Sequence, residues 1–464
     1  MSQIKIGYLP LYIKLYDDSE PDARIPMVAY MHECVRQLKN AGLEVVCANV
    51  CRLKEEFDDA IATFKAAHVD AVVTQHLAYS PSLESIGALL SLNEIPIVIL
   101  DTTPDYDISG QMYIHDAIMS NHGIHGVQDM CCMLRKNGRS YTLCVGHLSD
   151  SGVISQVAAA CRAAKAARQF REARIGSVGG SFKGMGDFYL TPDSLKKQIG
   201  ADIFYLDPAS SERYLSEVTD DELRQEIDWE NEHFQSEIKN HENHALAVKS
   251  GLALRHWMKA QALTAITVNF LSLQESGLPK MPFTECCKAL MRGQGYAGEG
   301  DVLTAGLVGA LRTVYPDTTF SEMFCPDWKN DMILLSHMGE MNLNLSQWKP
   351  VLADAPFSYN STGDTAAAYG CLRAGDAVLV NLAPMQEGFS MIVTPVSMQD
   401  VGRDDNVYRH ENQGWMKPLL PVRDFLKAYS ELGGTHHCAL VYHSTAEELK
   451  TFGRMMGFNC HIIG

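Results

Sequence analysis

Val69-Asp-Ala-Val-Val-Thr74, then Ser82-Leu-Glu-Ser-Ile-Gly-Ala-Leu-Leu-Ser-Leu92, then Ile95-Pro-Ile-Val-Ile-Leu-Asp101 decide the fold. Two short aliphatic runs flank a segment of helical spacing. Strands that are apolar on both faces and alternate with helices read as a parallel sheet covered on both sides. The alternation extends in both directions. Upstream, residues 4–9 and 43–50 read as strands. Between them Val28, Met31, Val35 and Leu38 fall at helical spacing, and Gly42 ends that helix. A helix near 53–67 follows the second strand. Downstream, residues 141–145 read as a fifth strand and 153–170 as an Ala-rich helix.

The pattern repeats from about residue 174. Residues 173–178, 201–206 and 265–270 read as strands, with charged helices at 220–239 and 242–263 and another helix at 303–314. After Pro316 the texture changes. Residues 332–336, 377–382 and 389–395 are short strand-like segments split by Gly, Asp and Pro, and helices are scarce until 422–429 and 446–456. The expected architecture is two Rossmann-like or flavodoxin-like α/β domains, at 1–170 and 171–316, followed by a mainly antiparallel, barrel-like β domain at 317–464.

Composition narrows the function. The 464 residues are 46% hydrophobic and 20% charged, an ordinary globular profile. A formal charge of −17 argues against nucleic-acid partners, which need a basic face, and against docking on anionic membranes. Thirteen cysteines without a CxxC pair, two of the pairs adjacent at Cys131-Cys132 and Cys286-Cys287, suit a reduced chain that uses Cys as a small hydrophobe. The N-terminus enters a strand at once, with no secretory pattern, and the longest aliphatic run, 95–100, is too short to span a bilayer. The expected location is cytoplasmic.

The chemistry-bearing residues cluster in a few short breaks: Gly295-Tyr-Ala-Gly-Glu-Gly-Asp301, Phe320-Ser-Glu322, Ser336-His337-Met338 and Gly433-Gly-Thr-His-His437. Two carboxylates, Glu299 and Glu322, and two imidazoles, His337 and His436 or His437, suit a divalent transition ion. Each residue alone has a plainer reading. Glu299 reads as a first-turn acid or cap, worth under about 1 kcal/mol, although flanking glycines let backbone approach a ligand. Glu322 alternates with Phe320 and Phe324, so the three are expected on one strand face. His337 alone reads as a satisfied histidine at a strand end. In a strand, His436 and His437 point to opposite faces, so one of them is expected to join a given site. The loop 176–186 has no GxGxxG match and reads as a ligand-contacting or mobile loop rather than a dinucleotide site.

Taken together, 295–301, 320–324, 334–340, 418–422 and 433–442 resemble L-arabinose isomerase and its L-fucose isomerase relatives in order and spacing. The likeness extends faintly over the N-terminal two thirds, including Ser80-Pro81 and His125-Gly126. The resemblance implies Mn²⁺, with Co²⁺ or Mg²⁺ as alternatives, held by Glu299, Glu322, His337 and His437. It implies Glu299 and Glu322 as the proton-transfer pair of an aldose–ketose isomerase acting through an ene-diol. It further implies substrate contacts from His125, His76, Met185 and His436, and a trimer or hexamer with sites between subunits. Two segments depart from the family. Gly7-Tyr-Leu-Pro-Leu-Tyr-Ile13 lacks its Gln, and Gly179-Gly-Ser-Phe-Lys-Gly-Met-Gly186 lacks its Asn-Met-Arg order. The metal shell is kept while the sugar-facing shell is rewritten, which leaves a pentose, hexose or 6-deoxy sugar open. The alternative is a non-catalytic sugar-binding paralogue.

Overall fold

In the computed structural model, which describes residues 3–110, 114–150, 152–403 and 407–464, the chain divides into two units, Met1–Arg168 and Gln169–Gly464. The first holds strands β1 (Ile4–Leu11), β2 (Leu43–Cys47), β3 (Ala71–His76), β4 (Ile97–Asp101) and β5 (Thr142–Val145). They form one sheet in the order β2-β1-β3-β4-β5, parallel throughout. Every residue of β3 is buried, as its two-faced apolar pattern requires. Leu9, Val72 and Ile99 pack against Phe57, Ile61 and Phe64 from the helix Lys54–Ala66. The strand order reverses between β1 and β3, where open α/β sheets gather ligands at their carboxyl ends.

The second unit begins with β6 (Arg174–Val178) and β7 (Asp202–Tyr205). After β8 (Gln235–Ser236) come β9 (Ala265–Val268) and β10 (Gly295–Gly298). Its parallel sheet runs β10-β9-β6-β7. Then follow β11 (Thr318–Asp327), β12 (Met332–His337), β13 (Val351–Ala355), β14 (Thr365–Tyr369), β15 (Gly375–Pro384), β16 (Phe389–Gln399), β17 (Asn412–Pro418), β18 (His437–Tyr442) and β19 (Asn459–Ile462). Six of these pair antiparallel in the sequence β15-β18-β11-β12-β17-β16, and β15 pairs back onto β16, so the sheet closes into a barrel. Closure removes the unpaired edges that an open antiparallel sheet would leave. Leu335, Leu379, Ile392, Met416 and Leu440 belong to the core that forms around it. β19 adds to β16 in parallel, and β13 and β14 form a small sheet with β8.

Several elements differ from the sequence expectation for local reasons. The run 265–270 stops as a strand at Val268, and Phe270–Ser276 is a 3₁₀ helix capped by the Asn269 side chain. The charged helix expected at 220–239 ends at His233, and Gln235–Ser236 pairs with β13. A bulge between Met323 and Cys325 shifts the register of β11. It turns Phe324 outward, about half exposed, so Phe324 does not share a face with Phe320 and Glu322. All thirteen cysteines are free thiols. Among the described residues, no helix is long and apolar enough to cross a membrane.

The second unit also buries an ionic network. Lys288, 4% exposed in the helix Phe283–Met291, lies 2.5 Å from Glu226 and 2.6 Å from Glu230. Arg255 bridges Glu226 and Glu285. Burial pushes the Glu226 pKa up, but Arg255 and Lys288 outweigh it and bring it to about 2. Removing one partner of a buried ion pair costs about 3–5 kcal/mol because the other charge is left uncompensated. Lys288→Met is therefore expected to lower the unfolding free energy by about that amount at neutral pH, measured by urea denaturation. The sign with pH follows from a depressed carboxylate. Glu226 contributes stability above its unfolded pKa, and that contribution fades as pH falls toward about 2. The gap between wild type and Lys288→Met should accordingly narrow through that acid range.

Candidate metal and active centre

The register of the barrel builds one half of the site. Glu322 on β11 lies opposite Ser336 of β12 and opposite His437 of β18. His337 is the next residue along β12 and its last. Donor atoms of Glu322, His337 and His437 come within 4.8 Å of one another. The other half comes from the parallel sheet. Glu299 follows β10 at the carboxyl edge of that sheet, and its donor atom lies within 4.8 Å of those of His436 and His437. The two groups share His437. The four expected ligands thus meet as two overlapping triads, with His436 as a fifth member.

His436 reaches Glu299 despite the opposite-face expectation. It precedes β18, which starts at His437, so strand alternation does not govern it. His436 Nε2 lies 3.4 Å and His437 Nε2 3.6 Å from Glu299 Oε2.

Each imidazole is held by a carboxylate. His337 Nδ1 donates to Glu340 (2.6 Å), His437 Nδ1 to Asp301 (3.0 Å) and His436 Nδ1 to Asp187 (2.6 Å). A carboxylate only accepts, so each Nδ1 carries the proton and each Nε2 is left with its lone pair or proton for the centre. Glu340 also accepts from the Gly339 N–H (3.0 Å) and from the Tyr296 hydroxyl. Asp301 also caps the helix Val302–Arg312 by accepting from the Thr304 N–H at 2.9 Å. Phe188 stacks on His437 at 5.0 Å and 13°, and Phe320 sets its edge against both His337 and His437.

Backbone geometry serves these contacts. A Cβ on Gly298 would lie 2.5 Å from His337 Cε1, so only glycine leaves room for that ring. Glu299 itself adopts φ +62°, a left-handed conformation that costs a non-Gly residue about 1–3 kcal/mol and clusters at functional sites. Of the neighbours that sequence reasoning gave no role, Glu340 had a usable signal in the His337-Met-Gly-Glu340 spacing. Asp301, which caps the helix Val302–Arg312 in the structure, was read from the sequence only as the end of the Gly-rich segment. Asp187 lies about 250 residues from His436 and had none.

The electrostatics favour a cation. Burial raises the Glu299 carboxyl, but His436, His437 and His337 outweigh it and hold it below the usual range. Burial lowers the His337 imidazole, yet Glu340, Glu322 and Glu299 bring it above its ordinary value. His436 rises to about 9 against its own burial, through Glu299 and Asp187. The residues present fit a metal ion. His437 Nε2 is buried without a hydrogen-bond partner, carboxylate and imidazole donors converge on it, and the opposite ring nitrogens are already engaged.

The remaining expected residues belong to neither donor group. Met185 is half-buried in the loop after β6. His76 ends β3 in the first unit, 4% exposed, with both ring nitrogens unpartnered and its pKa lowered by burial to about 3. A Cβ on Gly126 would strike its ring at 2.3 Å. His125 is exposed, with its ring 6.0 Å from that of His122, whose Nε2 meets the Tyr16 hydroxyl.

Comparison with known proteins agrees in family. The L-arabinose isomerase central domain model matches residues 198–316 and the L-arabinose isomerase C-terminal domain model matches 317–459, together more than half of the chain. An L-arabinose isomerase of Geobacillus kaustophilus is 25% identical over 402 residues, covering 84% of this chain and 80% of its own. That of Erwinia tasmaniensis is 22% identical over 463 residues, covering 94% and 91%. Among solved structures, a periplasmic solute binding protein of an ABC transporter from Actinobacillus succinogenes, with bound D-allose, aligns with 67% of this chain and 92% of its own. Its 13% identity and TM-score of 0.19 carry no argument. With both domain models in register and relatives matched along most of its length, the chain belongs to the L-arabinose isomerase family, a family of sugar isomerases.

Proposed function

We propose that this chain is a divalent-cation-dependent aldose–ketose isomerase. Its substrate class is a pentose, hexose or 6-deoxy sugar. The cation ligands are Glu299, Glu322, His337 and His437. One observation carries the reading: His337 and His437 each spend Nδ1 on a buried carboxylate, and a ring nitrogen of each comes within 4.8 Å of a Glu322 oxygen. Five carboxylates around three imidazoles make the site a sink for positive charge. Retention of both Glu299 and Glu322 favours an enzyme over a non-catalytic paralogue.

When bound, the cation supplies Lewis acidity at the sugar's carbonyl and neighbouring hydroxyl oxygens, with Mn²⁺ the first choice and Co²⁺ or Mg²⁺ as alternatives. The side chains move the protons. Glu299 and Glu322 flank the C1–C2 edge of the open-chain sugar. One carboxylate takes the C2 proton while O1 is protonated. The hydroxyl proton on O2 is then lost as a proton returns to C1, so the atoms balance and no redox partner is consumed. The lowered pKa of Glu299 keeps it in the ionised form that both tasks need. Phe188 and Phe320 set apolar surface beside the imidazoles, which strengthens the electrostatics by excluding water.

His436 and Met185 are assigned to the sugar side of the site. His125 and His76 are assigned to the sugar from another copy of the chain, in a trimer or hexamer with sites between subunits, and the enzyme to the cytoplasm. These assignments rest on the family resemblance. For His76, an unpartnered buried imidazole at the sheet's reversal point supports it.

Glu322→Gln is expected to fold with an unchanged melting temperature and to lose about 10²–10⁴-fold in kcat. Turnover at the wild-type rate would remove Glu322 from the proton path. Glu340→Gln tests the support of His337 separately. An amide cannot accept from both Tyr296 and His337 with the geometry that the carboxylate uses. Mn²⁺ affinity of the metal-stripped protein, read by calorimetry, should fall about 10–100-fold. An unchanged affinity would mean that Glu340 does not orient a ligand.

A further inference from the structure

The loop after β6 departs from the family pattern, yet it is seated on the centre at several points. The Phe182 N–H donates to the Glu299 carbonyl at 3.1 Å. Gly300 packs against the Gly180 carbonyl so closely that a Cβ there would meet it at 2.2 Å. Phe188 lies flat on His437. Asp187 Oδ2 accepts twice from His436, from the backbone N–H at 3.2 Å and from Nδ1 at 2.6 Å. Backbone and ring of His436 are thus fixed by one carboxylate, which points Nε2 at Glu299.

We propose that Asp187 is a positioning residue that holds His436 for a hydroxyl of the sugar, not for the cation. The inference rests on the isomerase reading. His437 has one nitrogen for the centre, because Nδ1 is engaged with Asp301. A single imidazole lone pair binds a single ion, so the two triads that share His437 serve one cation, not two. The Glu322–His337–His437 triad is the more enclosed of them, and both its histidines lean on buried carboxylates. The His436 side chain is 31% exposed and its Asp187 partner 36% exposed. A pre-oriented, half-exposed ring nitrogen at the rim of a buried cation centre suits an incoming hydroxyl. Its rigidity lowers the ordering cost of binding.

Asp187→Ala and Asp187→Asn test this with three readings: Mn²⁺ binding to metal-stripped protein, L-arabinitol binding to Mn²⁺-loaded protein, and the split between KM and kcat. In Asp187→Ala, Mn²⁺ affinity should stay within about threefold, outside the range expected for a lost ligand support. L-arabinitol affinity should fall about tenfold and KM rise to match, with a smaller change in kcat. Asp187→Asn should recover much of the loss, because its amide oxygen still accepts from Nδ1. A tenfold or greater loss of Mn²⁺ affinity would place His436 on the cation and overturn the proposal. Unchanged L-arabinitol binding in a folded variant would overturn it as well. If Asp187→Ala does not fold, Asp187→Leu, which also lacks the acceptor, and His436→Gln carry the same comparison. Wild-type protein that binds Mn²⁺ and L-arabinitol but converts no aldose would end the isomerase reading, and the L-arabinitol comparison would still decide the role of Asp187. Wild-type protein that binds Mn²⁺ but no L-arabinitol would overturn the assignment of Asp187 to the binding of such a sugar, while the isomerase reading would still stand or fall on turnover across the other sugars.

Discussion

An imidazole offers a cation one well-aimed lone pair only when its second nitrogen is engaged elsewhere, and the centre is organised around that constraint. His337 gives Nδ1 to Glu340 and His437 gives Nδ1 to Asp301, all four side chains being buried. Neither carboxylate is spent on that task alone. Asp301 also caps the helix Val302–Arg312, so helix entry and ring orientation are set together. Glu340 is gripped by Tyr296 and by the Gly339 N–H. Cys287 braces the same turn, donating to the Gly339 carbonyl and accepting from the Met341 N–H. Loss of either carboxylate would leave a buried imidazole free to turn and an unpaired group in an apolar setting.

The surrounding architecture follows from bringing those rings together. Three barrel strands supply Glu322, His337 and His437 through register alone. The parallel sheet supplies Glu299 from its carboxyl edge, in a left-handed backbone conformation that the neighbouring contacts must sustain. Glycine at 298 keeps the two halves close enough to touch. The result is a carboxylate-rich cluster in which burial opposes the charged forms of Glu299 and His337, while mutual attraction outweighs it, lowering the Glu299 carboxyl and raising the His337 imidazole.

Much of this was legible in the chain. Strands buried on both faces announced the first sheet through runs such as Ile97–Asp101, because a two-faced apolar strand has few other homes. The barrel was legible as a change of texture, but several of its neighbours were not. Thr365-Ala-Ala-Ala-Tyr369 is fully buried as β14 although alanine favours helices, since small side chains let it pack tightly. Gly295-Tyr-Ala-Gly298 is a strand that its glycines disguise as a break. At the site, the metal-type residues stood out by their setting, whereas two of their three supports did not. Asp187 and Asp301 act through hydrogen bonds that only the folded chain brings into reach, while Glu340 lies three residues from the ring it holds. The bulge at Met323–Cys325 likewise has no local sequence cue, and it turns Phe324 away from the face of Phe320.

The most direct test of the central claim is a conversion assay across pentoses, hexoses and 6-deoxy sugars, run after EDTA treatment and again after Mn²⁺ is restored. Aldose–ketose turnover that vanishes with EDTA and returns with Mn²⁺ is the predicted result. Turnover that survives complete removal of metal, or none on any sugar while Mn²⁺ is tightly bound, would contradict a cation-dependent isomerase centre built on His337 and His437.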